Sequence, residues 1–201
     1  MNSVKTTLAS MTAVLAMALV AVPANAGVII NVTEVGGDVV FDVSGSLNLT
    51  GAVTAQNGPA YGLGFISGGS NWYIATGSGS GYQSYAFTSF DGPFGTNQTY
   101  FQFPTSTSGD NFFIWGQSGL TEQVAVGPNY ISGNAISSGM IFASSTFTGF
   151  GITSGIYNYN LPNDSVQLRI GQANGVPEPA SLALLGLGLA GLAAVRRHKA
   201  A

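Results

Sequence analysis

Three carboxylates in the middle of the chain, Asp91, Asp110 and Glu122, have the residue type for a reaction, because glycoside hydrolysis needs only two acids at a suitable spacing. Their contexts favour a plainer use. Asp91-Gly92-Pro93 reads as a turn and Ser108-Gly109-Asp110-Asn111 as a loop, settings in which aspartate commonly bonds its own backbone. Other catalytic sets lack their parts. The single histidine is His198, near the C-terminus, the chain has no cysteine, and residues 27–175 contain no lysine. A Ser-His-Asp triad, a Ser-Lys dyad, a thiolate nucleophile, a Schiff-base lysine and a histidine-ligated metal are therefore unavailable to that segment. The sequence assigns no catalytic residue, cofactor or metal, and the expected activity is non-enzymatic.

Stacking chemistry is better supplied. Trp72, Tyr73 and Trp115, with Tyr82, Tyr85 and Tyr100 as further candidates, offer rings on which the apolar face of a sugar can lie, and Asn, Gln and Asp are plentiful nearby. The competing reading places Trp72 and Trp115 in the core. Glu34, Asp38 and Asp42 lie close in sequence and could bind calcium, but no dense Asp-x-Asp-x-Asp loop is present, and solvated strand-face charges that deter edge pairing account for them equally well. Asn31-Val32-Thr33, Asn48-Leu49-Thr50, Asn97-Gln98-Thr99 and Asn163-Asp164-Ser165 match the N-glycosylation acceptor pattern, which chance supplies readily in so Asn- and Thr-rich a chain.

The charge balance narrows the partners. Within residues 27–175 seven acids face one base, Arg169, a net charge of −6. Affinity for nucleic acid comes from Lys and Arg displacing counterions, so no nucleic acid is expected as partner. Without disulfides, stability must come from the core, and a segment of this length is large enough to form one.

Period-two patterning supplies the scaffold for these residues. In Asp38-Val39-Val40-Phe41-Asp42-Val43, the side chains of Val39, Phe41 and Val43 share one face and the others lie opposite. Similar runs occur at Val28–Thr33, Ser46–Thr50, Tyr61–Ile66, Trp72–Thr76, Tyr82–Ser89, Thr99–Phe103, Phe112–Trp115, Glu122–Val126, Met140–Ala143, Ile156–Leu161 and Ser165–Ile170, separated by Gly, Asn-Gly and Pro breaks. Pro162-Asn163-Asp164 predicts a hairpin turn between the last two. The expected fold class is all-β, an antiparallel β-sandwich with a jelly-roll-like order among its allowed topologies, flanked by an N-terminal signal peptide and a C-terminal single transmembrane helix.

The two ends carry addressing patterns. Lys5, an apolar run centred on Ala13 to Val22, and then Ala24 and Ala26 before Gly27 form the three-part secretory pattern, with small side chains for signal peptidase and cleavage expected between Ala26 and Gly27. The division is 1–26 signal peptide, 27–175 β body and 176–201 tail. In the tail, Pro177-Glu178-Pro179 resists helix and strand pairing, the run 180–195 would rise about 24 Å as a helix against a hydrocarbon core of ~30 Å, and Arg196, Arg197 and Lys199 should stay cytoplasmic. Such a span is marginal and suits a temporary anchor.

Pro177-Glu178-Pro179, a glycine-studded apolar helix and a basic end, in that order, resemble the PEP-CTERM sorting signal of Gram-negative bacteria. The resemblance implies recognition by a membrane-embedded exosortase, removal of the tail after transient residence in the inner membrane, and delivery to the cell surface or exopolysaccharide matrix. It covers residues 176–201 and leaves the body open. An ordinary C-terminal membrane anchor is the alternative for the tail. The expected function is an exported surface or biofilm-matrix protein, with a carbohydrate-binding, lectin-like module as the alternative and exopolysaccharide as the partner it would engage.

Overall fold

A computed structural model describes residues 27–59, 63–66, 71–78, 81–96, 101–117 and 119–172. In chain order the elements are β1 (Val28–Val35), β2 (Asp38–Ser46), β3 (Thr54–Pro59), β4 (Gly64–Ile66), β5 (Asn71–Thr76), β6 (Gly81–Ala86), β7 (Ser89–Phe90), β8 (Ser106–Gly109), β9 (Phe112–Gln117), β10 (Gln123–Val126), β11 (Ala135–Phe142), the single-turn helix α1 (Phe147–Phe150), β12 (Gly155–Asn160) and β13 (Ser165–Ile170). The all-β expectation holds, with two sheets. The first runs β7-β12-β13-β1-β2-β11-β8 and the second β3-β6-β10-β9-β5-β4.

Alternation decides which side chains meet. Val28, Ile30 and Val32 of β1, Val39, Phe41 and Val43 of β2, and Val166, Leu168 and Ile170 of β13 are buried on one face of the first sheet, while Asn31, Asp42, Gln167 and Arg169 alternate with them. Trp72 and Ile74 of β5, Phe112 and Ile114 of β9, and Val124 and Val126 of β10 join the same core from the second sheet. Phe41 of the first sheet stands 5.3 Å, centroid to centroid, from Phe65 of the second. A polar tie crosses this core: the Thr76 and Ser138 hydroxyls lie 2.6 Å apart, so that the buried Ser138 hydroxyl has a partner, and the Thr76 hydroxyl also donates to the Phe112 carbonyl at 3.3 Å.

The β1–β2 turn has only two residues, Gly36 and Gly37, at φ 64° and 88°. Two consecutive positive φ values match the right-handed twist of the flanking strands, and glycine adopts them without a Cβ penalty. The predicted last hairpin is present, with Asn160 opposite Ser165 and the Leu161 N–H donating to the Asp164 carbonyl.

Several expectations are corrected. The first sheet is mixed rather than antiparallel, because β1 pairs β13 in parallel, from Val28 opposite Val166 to Val32 opposite Ile170. The run Ser46–Thr50 is not a strand: beyond Ser46 the chain leaves the sheet, and the N–H groups of Leu47, Asn48 and Leu49 donate to the side chains of Tyr130, Asp164 and Ser132 instead of to a neighbouring strand. Of Thr99–Phe103, the described part makes a single bridge, Gln102 to Phe65. Conversely β3, with the polar sequence Thr-Ala-Gln-Asn-Gly-Pro, is an edge strand held by β6 through a bulge. Among the described residues no helix is long and apolar enough to cross a membrane. The apolar run 180–195 lies outside them.

Candidate functional site

The acids are positioned first by what they cap. Asp38 Oδ1 accepts the Ser144 N–H at 2.9 Å, and Glu34 Oε2 accepts the Phe147 N–H at 2.9 Å, where the first turn of α1 leaves it unpaired. Asp91 Oδ2 accepts both the Asn158 N–H at 2.7 Å and its carboxamide at 3.1 Å. Asp110 Oδ2 accepts the Ser137 N–H at 2.9 Å, and Asp164 accepts from Asn48 at 2.6 Å and Ser165 at 2.8 Å. Five of the seven acids thus tie strand ends and loops together through backbone donors, where a charge-assisted bond is worth more than a neutral one.

Topology separates Asp110 from both of the other mid-chain carboxylates. Asp91 follows β7 and Asp110 follows β8, and these strands are the two opposite edges of the seven-stranded sheet. Six strand spacings of ~4.8 Å place them roughly 29 Å apart, whereas glycosidase carboxyls stand about 5–9.5 Å apart. Glu122 precedes β10 at the end where Gln123 faces Trp115, and Asp110 lies beyond the opposite end of β9, before Phe112. Among the described residues no three His, Cys, Asp or Glu side chains cluster to hold a metal ion.

The aromatic candidates divide between the two faces of the second sheet. Trp72 points into the core, 4% exposed, with its ring 5.0 Å from Tyr159 and 6.4 Å from Phe90. It leaves the glycan-binding set, because no ring face is open to a saccharide. Tyr73 and Trp115 are register partners on the outer face and are half-buried. There they join Tyr82 and Phe113: Tyr73 to Phe113 is 6.4 Å, Tyr82 to Phe113 is 5.9 Å, and Tyr82 to Trp115 is 5.9 Å in an edge-on arrangement. Beyond β4 the band continues through Phe101, 5.4 Å from Tyr73, to Phe103, 4.9 Å from Phe101 and 76% exposed.

Neither Phe101 nor Phe103 was among the candidates, although their i, i+2 spacing in the run Thr99–Phe103 already put them on one face. Tyr85 is on the inner face, packed against the main core, where burial pushes its hydroxyl pKa up. Tyr100 lies outside the described residues.

The addressing residues stand at the borders of the described chain. Gly27 is its first described residue, with the Ser165 carbonyl so close that a Cβ at Gly27 would meet it at 2.6 Å. Ala24, Ala26, Pro177, Glu178, Pro179, Arg196, Arg197 and Lys199 lie outside the described residues. For the tail the comparison with known families is informative: residues 175–197 match the model of the PEP-CTERM protein-sorting motif. The chain therefore carries the signal of an exported bacterial protein sorted by exosortase. No curated protein and no solved structure matches the chain.

Proposed function

We propose that this is a non-enzymatic component of the cell surface or exopolysaccharide matrix, exported through its signal peptide, released from a temporary membrane anchor by exosortase, and built as a two-layer β-sandwich. The use of the acids carries the non-enzymatic reading. Five of seven hold backbone N–H groups, and Asp91 and Asp110 are stationed at opposite sheet edges, so the side chains best suited to acid–base work serve as structural ties. The sorting motif supports the destination. The deciding measurement is intact mass and location in the native host, with and without exosortase. A mature form running from Gly27 to near Pro179, outside the cell only when exosortase is present, is the expected result. A protein that keeps residues 180–201 and stays in the inner membrane in both strains would sink the proposal.

A carbohydrate-binding role is the second reading, favoured by the outer aromatic band in which Tyr73, Trp115, Phe101 and Phe103 keep exposed or half-buried rings on one sheet face. Stacking of successive sugars on such a face is sequence-tolerant and needs no charge. Titration with the host's exopolysaccharide should change tryptophan fluorescence in the native chain but not in Trp115→Phe, since buried Trp72 would report nothing. An identical response in the variant would remove the band from consideration.

A further inference from the structure

At one end of the two sheets, the loop between β8 and β9 and the loop between β10 and β11 line an open pocket of about 290 Å³. We infer that this pocket is a binding site for one neutral sugar residue. It goes beyond the surface or matrix role and does not depend on the aromatic band.

The lining has both halves of the chemistry that a pyranose ring requires. The half-buried Tyr130 ring contributes apolar surface for the C–H face of a sugar, and Ile136, buried in the core, closes the wall behind it. The Tyr130 hydroxyl is not free to serve a ligand. It accepts the Leu47 N–H at 2.8 Å and donates to the Asn134 carbonyl at 2.7 Å, with the Leu47 carbonyl at 3.3 Å. These bonds fix the ring as a wall, and burial pushes the phenol's pKa up, so the hydroxyl keeps the proton that it donates.

Polar groups line the rest. Asp110 uses Oδ2 for the Ser137 N–H, and Oδ1 has no hydrogen bond among the described residues. The carboxamides of Asn129 and Asn134 are exposed and likewise make none among the described residues. Asn111 is 7% exposed and is held by its bond to the Gly81 carbonyl at 2.9 Å, which pins the floor. A carboxylate oxygen accepts from hydroxyls, and a carboxamide both donates and accepts, which together suit adjacent sugar hydroxyls.

Size and charge select within that class. The volume falls just below the ~300–1,000 Å³ of small-molecule sites, which leaves room for one ring rather than a length of polymer. The pocket's one ionisable acid is Asp110, in a body of net charge −6, so an anionic uronic acid would meet like charge. A lone carboxylate also falls well short of the ligand set of a hard cation.

The test is saturation-transfer NMR on the purified full chain in detergent, using methyl hexosides, methyl N-acetylhexosaminides and methyl uronides as probes. The native chain should transfer saturation to a neutral glycoside and not to a uronide. The double variant Asn129→Ala/Asn134→Ala removes carboxamides that tie no part of the fold, so it should weaken that binding about tenfold or more with an unchanged unfolding midpoint. Transfer to no neutral glycoside, equal transfer to the uronides, or binding unaltered in the double variant would each overturn the site. Binding lost in Trp115→Phe but kept in the double variant would place the sugar on the outer band instead.

Discussion

Gly116→Ala should destabilise the protein by about 3 kcal/mol in the native background and by far less in a chain that also carries Trp72→Ala. Gly116 of β9 faces Trp72 of β5 across the sheet, and the indole lies flat over the missing side chain. A Cβ at position 116 would sit 2.2 Å from Trp72 Nε1 and 2.3 Å from Cε2, distances that the van der Waals envelope forbids. The indole cannot retreat, because Tyr159 stands 5.0 Å behind it and Phe90 6.4 Å to its side. Trp72→Ala alone should cost ~3–5 kcal/mol by opening a cavity among Tyr159, Phe90 and Ile114. In that variant the space over Gly116 is empty, and an alanine there has nothing to strike. Urea unfolding of the two single variants and the double variant measures the coupling. Strictly additive penalties would show that the cost of Gly116→Ala does not come from a clash with the indole, contrary to the packing.

The same pair shows what the sequence could and could not reveal. The sequence correctly placed β1, β2 and β13, where buried apolar residues alternate with more exposed ones, and β5, β9, β10 and β12, where short β-branched and aromatic runs lie between turn residues. It fixed Trp72 and Tyr73 on opposite faces of one strand but gave only a slight sign of which face was inward, Ile74 sharing the face of Trp72 and Ala75 that of Tyr73. A cross-strand glycine at 116 was the clue: a large indole needs an absent side chain opposite, and register is not legible from one strand. β11 was read only from Met140 onwards, because Ser138 occupies an inward position and hides the alternation. Its hydroxyl is accommodated by Thr76, sixty-two residues away in sequence. The sequence offers Asp91, Asp110 and Asp164 as local turn or loop residues and Glu34 and Asp38 as strand-face charges, and shows none of the long-range ties that these acids make. Asp91 to Asn158 and Asp164 to Asn48 span 67 and 116 residues, and pairings of that range come from topology, which composition and spacing do not encode.

The pocket at the end of the sheets was invisible for the same reason. Asp110-Asn111 reads as an ordinary loop and Pro128-Asn129-Tyr130 carries no chemical pattern of its own, and they converge only because β9 and β10 are adjacent antiparallel strands whose ends bring both segments to one side. The tail was the opposite case. Its motif is contiguous, so its identity was readable from residues 177–199 without any fold, and the family match at residues 175–197 agrees with it.

Alkaline unfolding should be governed by Tyr159. The side chain is fully buried, its hydroxyl donates to the Gly92 carbonyl at 3.1 Å, and the rings of Trp72 and Phe87 stand 5.0 and 5.5 Å from it. Burial, with smaller contributions from the neighbouring Tyr157 and Asp91, pushes its pKa far above the ordinary value of a tyrosine. The folded value is raised, so the stabilising contribution is complete below the unfolded pKa of ~10 and is lost as pH rises beyond it. Above that point the unfolded chain releases the proton and the folded chain cannot, and stability falls by ~1.4 kcal/mol per pH unit, roughly 2.7 kcal/mol by pH 12. Half-buried Tyr85, Tyr130 and Tyr157 are shifted in the same direction and steepen the fall. Tyr159→Phe should lower stability at pH 7 by about 1 kcal/mol, because the Gly92 carbonyl loses its donor, yet flatten the decline between pH 10 and pH 12. Urea midpoints across that range, followed with phenolate absorbance, measure both effects. An equal slope in the native chain and the variant would mean that Tyr159 ionises in the folded state, which its closed surroundings of Trp72, Phe87 and the Gly92 carbonyl oppose.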